Sequence, residues 1–413
     1  MAGTDHRETH THRGPRAVLL VSLLFGLAYL LFTLARRPER LALDFEVYHA
    51  AARTLLDGGA VYGVQLGREP YLVYAYPPVT VLAFVTYAPL PGDVAFALHT
   101  LGSLAAGLLA GHLLVRWLAA HGHAPTRTDR VLVSLFPALS VHAAPSLAFG
   151  QVNHVLVLAL VAGFLALDAA AHDARRPRLA GALFGLAALV KLFPAAVGAW
   201  LLRRRAWPAV LAATAVGLGG LAFGLLLGPD RTVAWVETAV LPRAAPSAFA
   251  APGGLPPEES YVTVRRPLSV LGLSGAGLTA GAALLVGPPV AYLYARLDTA
   301  TVKGRLVGAY ATLGGLLAFL PSFPIYLLFL AYPLVPMVYR FEGRARRWAV
   351  GGGLLLALSL RLDDLRVVLA PLGGTGDALL VTLTPLFTLV TPPLLGLAAL
   401  FVACGFAVRA QSS

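Results

Sequence analysis

The sequence predicts an all-α protein, a polytopic transmembrane bundle of about twelve helices with two elaborated extracytoplasmic loops. Three observations predict it. Of 413 residues, 58% are apolar and only 13% are charged, against about 45–50% and about 25% in soluble chains. Mean hydropathy is +0.74. Apolar stretches of about 17–25 residues, the length that crosses a bilayer, recur along the whole chain.

Residues 1–16 read as a basic cytoplasmic tail. Apolar stretches follow at 17–35, 76–90, 94–118, 130–148, 152–171, 178–202, 206–228, 268–295, 304–320, 323–339, 348–360 and 378–407, several of them short or broken by proline. The first runs beyond a signal-peptide core and has no small-x-small cleavage site before Arg36, so it is expected to stay attached.

The formal charge of +12 is spread over the gaps between these stretches. That is the distribution of topogenic charge, and it excludes the single basic face of an ordinary nucleic-acid binder. Arg203 to Arg205, then Arg296, Lys303 and Arg305, then Arg340, Arg344, Arg346 and Arg347 mark cytoplasmic gaps. Counting from them, both termini are cytoplasmic, and segments 36–75 and 231–267 lie outside. Strict alternation also sends Arg127, Arg130, Arg175, Arg176 and Arg178 outside, against the charge rule. Either the rule is weak in this half, or 76–90 does not cross and 178–202 is a hairpin turning at Lys191. The expected organisation is a tail, a catalytic transmembrane module at 17–230, an external loop at 231–267 and a second transmembrane module at 268–413.

Rare residue types narrow the search for chemistry. Cys404 is the single cysteine, which excludes an intramolecular disulfide or a cysteine-based zinc site. Lys191 and Lys303 are the only lysines, and Asn153 is the only asparagine. The patterns GxxxxGK[ST], HExxH, GxSxG and CxxC do not occur, so nucleotide hydrolysis, zinc proteolysis and thiol chemistry lack their usual signatures.

Four constellations remain. After the first apolar stretch, Phe45, Tyr48, Ala52, Leu55 and Leu56 repeat with helical spacing until Gly58 and Gly59, the pattern of an amphipathic helix on the membrane surface. Asp44 stands at its start and reads either as a helix cap or as an interfacial carboxylate able to take a proton from an acceptor hydroxyl. The run Tyr71 to Pro78 reads as ordinary interfacial aromatics and a proline-initiated helix, or as rings walling a site for a sugar or an isoprenoid chain. Gln151, Asn153 and His154 cluster between two apolar stretches; they form a polar turn, or a set of hydrogen-bonding groups facing a wet cavity. Lys191 is twelve residues from Arg203, roughly 18 Å along a helix, so it is separate from that basic cluster. It reads as a snorkelling lysine or as a cation for a lipid-linked phosphate.

Taken in order, DFEVYHAAARTLLDGGAVY from Asp44, YAYPPV from Tyr74, GQVNHVLVLAL from Gly150 and LAGALFGLAALVKLFPAAV from Leu179 resemble the polyprenyl-phosphate-sugar-dependent enzymes of glycosyltransferase family 87, within the C-type glycosyltransferase superfamily. The ordered motifs cover residues 17–230, and hydropathy carries the rest. The resemblance implies a C-type glycosyltransferase-like fold, a donor such as polyprenyl-phosphate mannose, a lipid or glycan acceptor and a site facing outside. It implies an acidic base in the first external loop, a role that falls on Asp44. Glu46 completes a D-x-E pattern similar to the paired acids of the wider superfamily. Glu46, Tyr48, Tyr76, Gln151, Asn153, His154, Lys191, Arg265 and Arg266 are the expected substrate-binding residues. No metal ligand is assigned and no cofactor is firmly implied; a divalent metal is not required, although Glu46 leaves room for one. Many mannosyltransferases of the family carry tryptophan and paired histidines late in the chain, where this sequence reads Pro321, Ser322, Phe323, Pro324, Ile325, Tyr326.

The rival reading is a transporter or lipid flippase, which shares the helix count and the polar residues at depth. It calls for internal repeats with broken helices at matching places, and the motifs here crowd into the first half. A non-catalytic scaffold has no use for rare polar residues in the membrane.

Overall fold

The computed structural model describes residues 5–69, 72–169, 173, 175–244, 258 and 260–410, and among them there is no strand. In chain order the helices are α1 (Asp5–Arg36), α2 (Leu43–Leu56), α3 (Pro78–Val81), α4 (Gly92–Ala120), α5 (Arg127–Leu139), α6 (Ala144–Phe149), α7 (Asn153–Asp168), α8 (Arg176–Val190), α9 (Val197–Arg203), α10 (Trp207–Leu227), α11 (Pro229–Trp235), α12 (Leu241–Ala244), α13 (Arg265–Val270), α14 (Gly275–Arg296), α15 (Val302–Phe319), α16 (Ala331–Arg340), α17 (Gly343–Ala357), α18 (Leu362–Leu369), α19 (Gly374–Leu389) and α20 (Pro392–Arg409).

Among the described residues, five helices are long and apolar enough to cross a bilayer: His12–Arg36 within α1, then α4, α10, α14 and α20. The other apolar stretches are shorter or interrupted. Stretch 378–407 breaks between α19 and α20, where Pro392 and Pro393 open a new helix because their missing N–H groups cost nothing in a first turn. Stretch 130–148 breaks between α5 and α6. Stretch 76–90 is α3 followed by a 3-10 turn at Leu82–Tyr87. That run of ten helical residues reaches about 15–20 Å, short of the roughly 30 Å hydrocarbon core.

The helices gather into two compact units, one of Gly26–Ala120 and Val133–Ala248, the other of Met1–Phe25, His121–Leu132 and Phe249–Ser413. In the first, α8 packs on α7 and α10. A Cβ on Gly181 would strike the backbone of Ala209, and one on Gly185 would meet Ala213 O at 2.6 Å. Glycine therefore lets the two helices touch backbone to backbone. The contacts rise together along both chains, so α8 and α10 run parallel, and residues 191–206 must return between them. They do: Arg204 Nη1 lies 3.6 Å from Asp168 Oδ1, the last residue of α7. Stretch 178–202 is thus a hairpin that turns at Lys191, and the single span at that position is corrected.

In the second unit α15 is the central helix, buried along almost its whole length and packed on α14, α16 and α20. Tyr310 OH donates to Leu397 O at 2.6 Å across that core. The buried carboxylate of Asp129 gathers the start of α1, the turn before α5 and the end of α16. It accepts from Arg16 Nε at 2.9 Å, Thr126 Oγ1 at 2.8 Å and Tyr339 OH at 3.0 Å, and His12 Nδ1 is 3.0 Å away. Thr126 Oγ1 accepts in turn from the Asp129 backbone N–H, a reciprocal cap on α5. The basic tail, Arg127 and Arg130 therefore share one end of this unit with Arg340. Strict alternation that counts 76–90 as a span puts them on opposite sides.

Candidate active site

The site forms where α2 meets the turn between α6 and α7. The α2 helix begins after Ala42, whose backbone is left-handed at φ 62° and whose N–H donates to Ala148 O at 2.8 Å. Gly150 ends α6 at φ +71°, and a Cβ there would sit 2.6 Å from Phe45 Cβ and 3.0 Å from Phe96. Only glycine meets both the conformation and the close approach. The turn then presents Gln151 and Asn153 toward the first turn of α2.

Asp44 is not the helix cap. Ala42 holds that position, and no side chain caps the helix. The carboxylate instead accepts from Gln151 Nε2 at Oδ2, 2.9 Å away. Gln151 Oε1 accepts from Asn153 Nδ2 at 2.7 Å and from Lys191 Nζ at 3.3 Å. Asn153 Oδ1 accepts from Lys191 Nζ at 2.7 Å, and its Nδ2 also donates to Ser146 Oγ at 2.8 Å. Four residues singled out from sequence, spread over 147 positions (191 − 44), thus join in one network. Burial raises the Asp44 carboxyl above its ordinary value, while the Gln151 hydrogen bond and the Lys191 charge pull it back.

Lys191 owes its place to the hairpin. At the end of α8 its backbone turns extended, at φ −127° and ψ 125°, and the 3-10 turn at Phe193–Ala196 starts the return. Its Nζ lies 5.9 Å from the Tyr76 ring centroid, an attractive geometry for a cation over an aromatic face. Tyr76 and Tyr48 share a hydrogen bond at 2.9 Å. Around them Tyr62 OH donates to Tyr76 O at 2.7 Å, Tyr74 OH pairs with Thr80 Oγ1 at 2.7 Å, and Trp235 Nε1 donates to Ala75 O at 3.1 Å. Tyr71, part of the same motif, lies outside the described residues.

The expected surface helix is in fact sunk into the unit: Phe45, Val47, Tyr48, His49, Ala51 and Ala52 are all buried, and only its last turn opens to the surface at Leu56. Phe45 packs on His99 and Tyr87, and His49 Nε2 is 3.1 Å from Tyr87 O.

Four expected residues make contacts outside this network. Glu46 is two residues from Asp44 and so faces another way on the helix. It pairs with Arg68, which also donates to the carbonyls of Glu39 and Leu41, so the two carboxylates form no common metal cradle. His154 is fully buried, with Nε2 3.3 Å from Ala138 O. Arg265 and Arg266 belong to the other unit, where Arg265 donates to Phe319 O and Thr279 Oγ1, and Arg266 to Phe387 O. Of the loop at 231–267, residues 245–257 and 259 lie outside the described residues. Ser146 is the network member that sequence reasoning missed, because a lone serine in an apolar stretch carries no signal.

The profile of glycosyltransferase family 87 matches residues 74–322. The chain belongs to this family. The family 87 match holds Tyr76, Gln151, Asn153 and Lys191, whereas α2 with Asp44 precedes it. Two relatives from Mycolicibacterium smegmatis are similar to part of the chain. One, a polyprenol-phosphate-mannose-dependent alpha-(1-2)-phosphatidylinositol mannoside mannosyltransferase, is 29% identical over 223 residues, half of this chain and 48% of the relative. The other, a polyprenol-phosphate-mannose-dependent alpha-(1-2)-phosphatidylinositol pentamannoside mannosyltransferase, is 32% identical over 179 residues, 42% of this chain and 40% of the relative. The matched stretch thus spans less than half the length of either. No solved structure matches this family 87 chain.

Proposed function

We propose that this chain is an integral membrane glycosyltransferase that transfers a hexose, mannose by analogy with its relatives, from a polyprenyl-phosphate sugar to a lipid or glycan acceptor. The single observation that carries the reading is the hydrogen-bonded link from Asp44 through Gln151 to Lys191, a carboxylate and a cation held in one site of a family 87 chain. An inverting transfer forms a bond between the acceptor oxygen and the anomeric carbon as the bond to phosphate breaks. The acceptor proton passes to Asp44, and the lipid phosphate leaves with the electron pair. Lys191 supplies positive charge for that phosphate. The tyrosines beside it, Tyr48 and Tyr76, offer faces and hydroxyls to the sugar.

The site is assigned to the extracytoplasmic face, with both termini cytoplasmic, in a C-type glycosyltransferase-like bundle with external segments at 36–75 and 231–267. The charge distribution and the shared end of Arg16, Asp129 and Tyr339 support this orientation. Residues 17–230 form the catalytic module.

The deciding experiment supplies purified protein in lipid with a panel of radiolabelled polyprenyl-phosphate sugars and a membrane extract from its source. Label should enter a product from one donor, and Asp44→Asn should abolish that transfer. Transfer only from nucleotide sugars, or from none of the panel, would overturn the reading.

A further inference from the structure

We infer that Gln151 is a positioning residue: its amide, fixed by Asn153 and Lys191, holds Asp44 by one carboxylate oxygen and turns the other toward the acceptor hydroxyl. The inference rests on the transferase reading and gives Gln151 a part in it that differs from binding sugar.

The argument begins at Lys191, whose ammonium can only donate. Its two amide contacts, Asn153 at 2.7 Å and Gln151 at 3.3 Å, must therefore be to oxygens. With Oδ1 on Lys191, the Asn153 amide places Nδ2 on Ser146 Oγ and Gln151 Oε1. Gln151 Oε1 is then claimed by two donors, and only Nε2 remains for Asp44. Turning the Gln151 amide over would set NH2 against the Lys191 ammonium and the Asn153 NH2, and a carbonyl against a carboxylate, three repulsive contacts in place of three attractive ones. The direction of donation from Lys191 to Asp44 is thus set by the chemistry of its two ends.

At the far end Asp44 Oδ2 is occupied, and Oδ1 has no partner among the described residues. A general base needs one oxygen open to the substrate and a fixed orientation, and this is the arrangement found. Gln151 cannot rotate to serve a sugar hydroxyl without releasing three contacts. Asn153, fully buried, acts through Gln151 and Lys191 in the same way, with Ser146 behind it.

The test compares Gln151→Glu and Gln151→Met with the parent and with Asp44→Asn, in lipid with the labelled donor. Gln151→Glu can still pair with Lys191, so it keeps a partner for that cation while losing the donor to Asp44; Gln151→Met keeps length and volume with no donor at all. Gln151→Met should bind donor with KM within a few-fold of the parent, and both should lose kcat by about 10- to 100-fold, the value of a hydrogen bond to a charged group. The acid limb of kcat/KM should move to higher pH in both, because the carboxylate has lost its stabilising N–H. The other titratable groups around Asp44, namely Tyr48 and His49 on α2, Tyr76, Tyr87, His99 and Lys191 on the elements beside it, and the Glu46–Arg68 pair, are unchanged in these variants. Rescue by glutamine alone completes the expected pattern. If either variant is folded and keeps kcat within three-fold with an unmoved acid limb, Gln151 is not a positioning residue, although Asp44 remains the base if Asp44→Asn is dead. A raised KM for sugar with kcat intact would make Gln151 a substrate ligand and overturn the inference equally. A parent without transfer activity sinks the transferase reading and this inference together.

Discussion

Lys191 Nζ donates to Asn153 Oδ1 across 2.7 Å, joining one of two lysines in the chain to its only asparagine. The pairing tells against a merely snorkelling lysine: the side chain is 9% exposed and is held by neutral amides beside an aromatic face.

Replacing Lys191 separates structural from functional roles. Lys191→Met leaves the buried Asn153 Oδ1 without its donor and Gln151 Oε1 with one of its two, which costs about 1–3 kcal/mol, so thermal stability should fall even without donor. If the lipid phosphate also meets this cation, stabilisation by added polyprenyl-phosphate sugar should shrink as well, and Lys191→Arg should restore it in part, since the charge survives but the point geometry does not. Donor-induced stabilisation equal to the parent's would remove Lys191 from the phosphate site.

Asp44→Asn should fold normally and lose transfer, with donor binding kept. Glu46→Gln is the control. Its pair with Arg68 is exposed, and such pairs contribute about 0–1 kcal/mol, so transfer should change only a few-fold. Because burial raises the Asp44 carboxyl, and a base works only when ionised, the parent's rate should rise with pH through a value above the usual carboxylate range near about 4. An acid limb below that range would assign the base elsewhere.

Gly150→Ala should cost about 2–3 kcal/mol, combining the left-handed backbone at φ +71° with the clash on Phe45. The added methyl pushes α2 from the turn that carries Gln151, so turnover should drop with stability. Unchanged melting and unchanged kcat would show that α2 does not pack there.

Asp129→Asn should destabilise the protein by about 3 kcal/mol, because it removes the charge that pairs with Arg16 and turns an NH2 toward Thr126 N–H, Thr126 Oγ1 and Arg16 Nη2, which all donate to Oδ2. Burial alone would raise this carboxyl, but the donors Arg16, Thr126 and Tyr339 outweigh it and hold the value well below the ordinary range. A lowered folded value contributes stability that is present above the unfolded carboxylate's pKa and is lost as pH falls through the folded one. The parent should therefore lose more stability on acidification than Asp129→Asn does, as chemical denaturation at several pH values would report.

Orientation is tested by single cysteines on a Cys404→Ser background, Cys404 itself being buried. Ala60→Cys should react with an impermeant reagent from outside and Arg203→Cys from inside. The reverse pattern would turn the whole assignment over.

Much of this site was legible because it is built from rare residues. Asn153, Gln151 and Lys191 stand out in an apolar chain, and each proved to touch the next. Of the two readings of Asp44, its place in the first turn favours a cap, yet Ala42 takes the cap position in a left-handed conformation, which no propensity anticipates. Burial of α2 was also missed, since the pattern of one helix does not reveal that another turn, closed by Gly150, packs over it. The hairpin at Lys191 was legible only as an alternative, because hydropathy does not tell a span from two shorter limbs; Gly181 and Gly185 decided it by setting α8 parallel to α10. Arg265 and Arg266 stand out by charge alone, and the carbonyls of Phe319 and Phe387 that accept from them are too distant in sequence for any pattern to announce.

The link between Asp44 and Lys191 also bears on how the chain is made. Asp44 leaves the ribosome 147 residues (191 − 44) before Lys191, which is roughly 7–30 s at ordinary rates of synthesis. Until Gln151 follows, 107 residues (151 − 44) on, the carboxylate lacks its amide donor and α2 lacks the turn that packs against it, and the counter-charge comes a further 40 residues (191 − 151) later. A pause before residue 150 therefore leaves α2 held by Tyr87 and His99 on one flank, with the side that Gly150 covers still open and Asp44 without its donor.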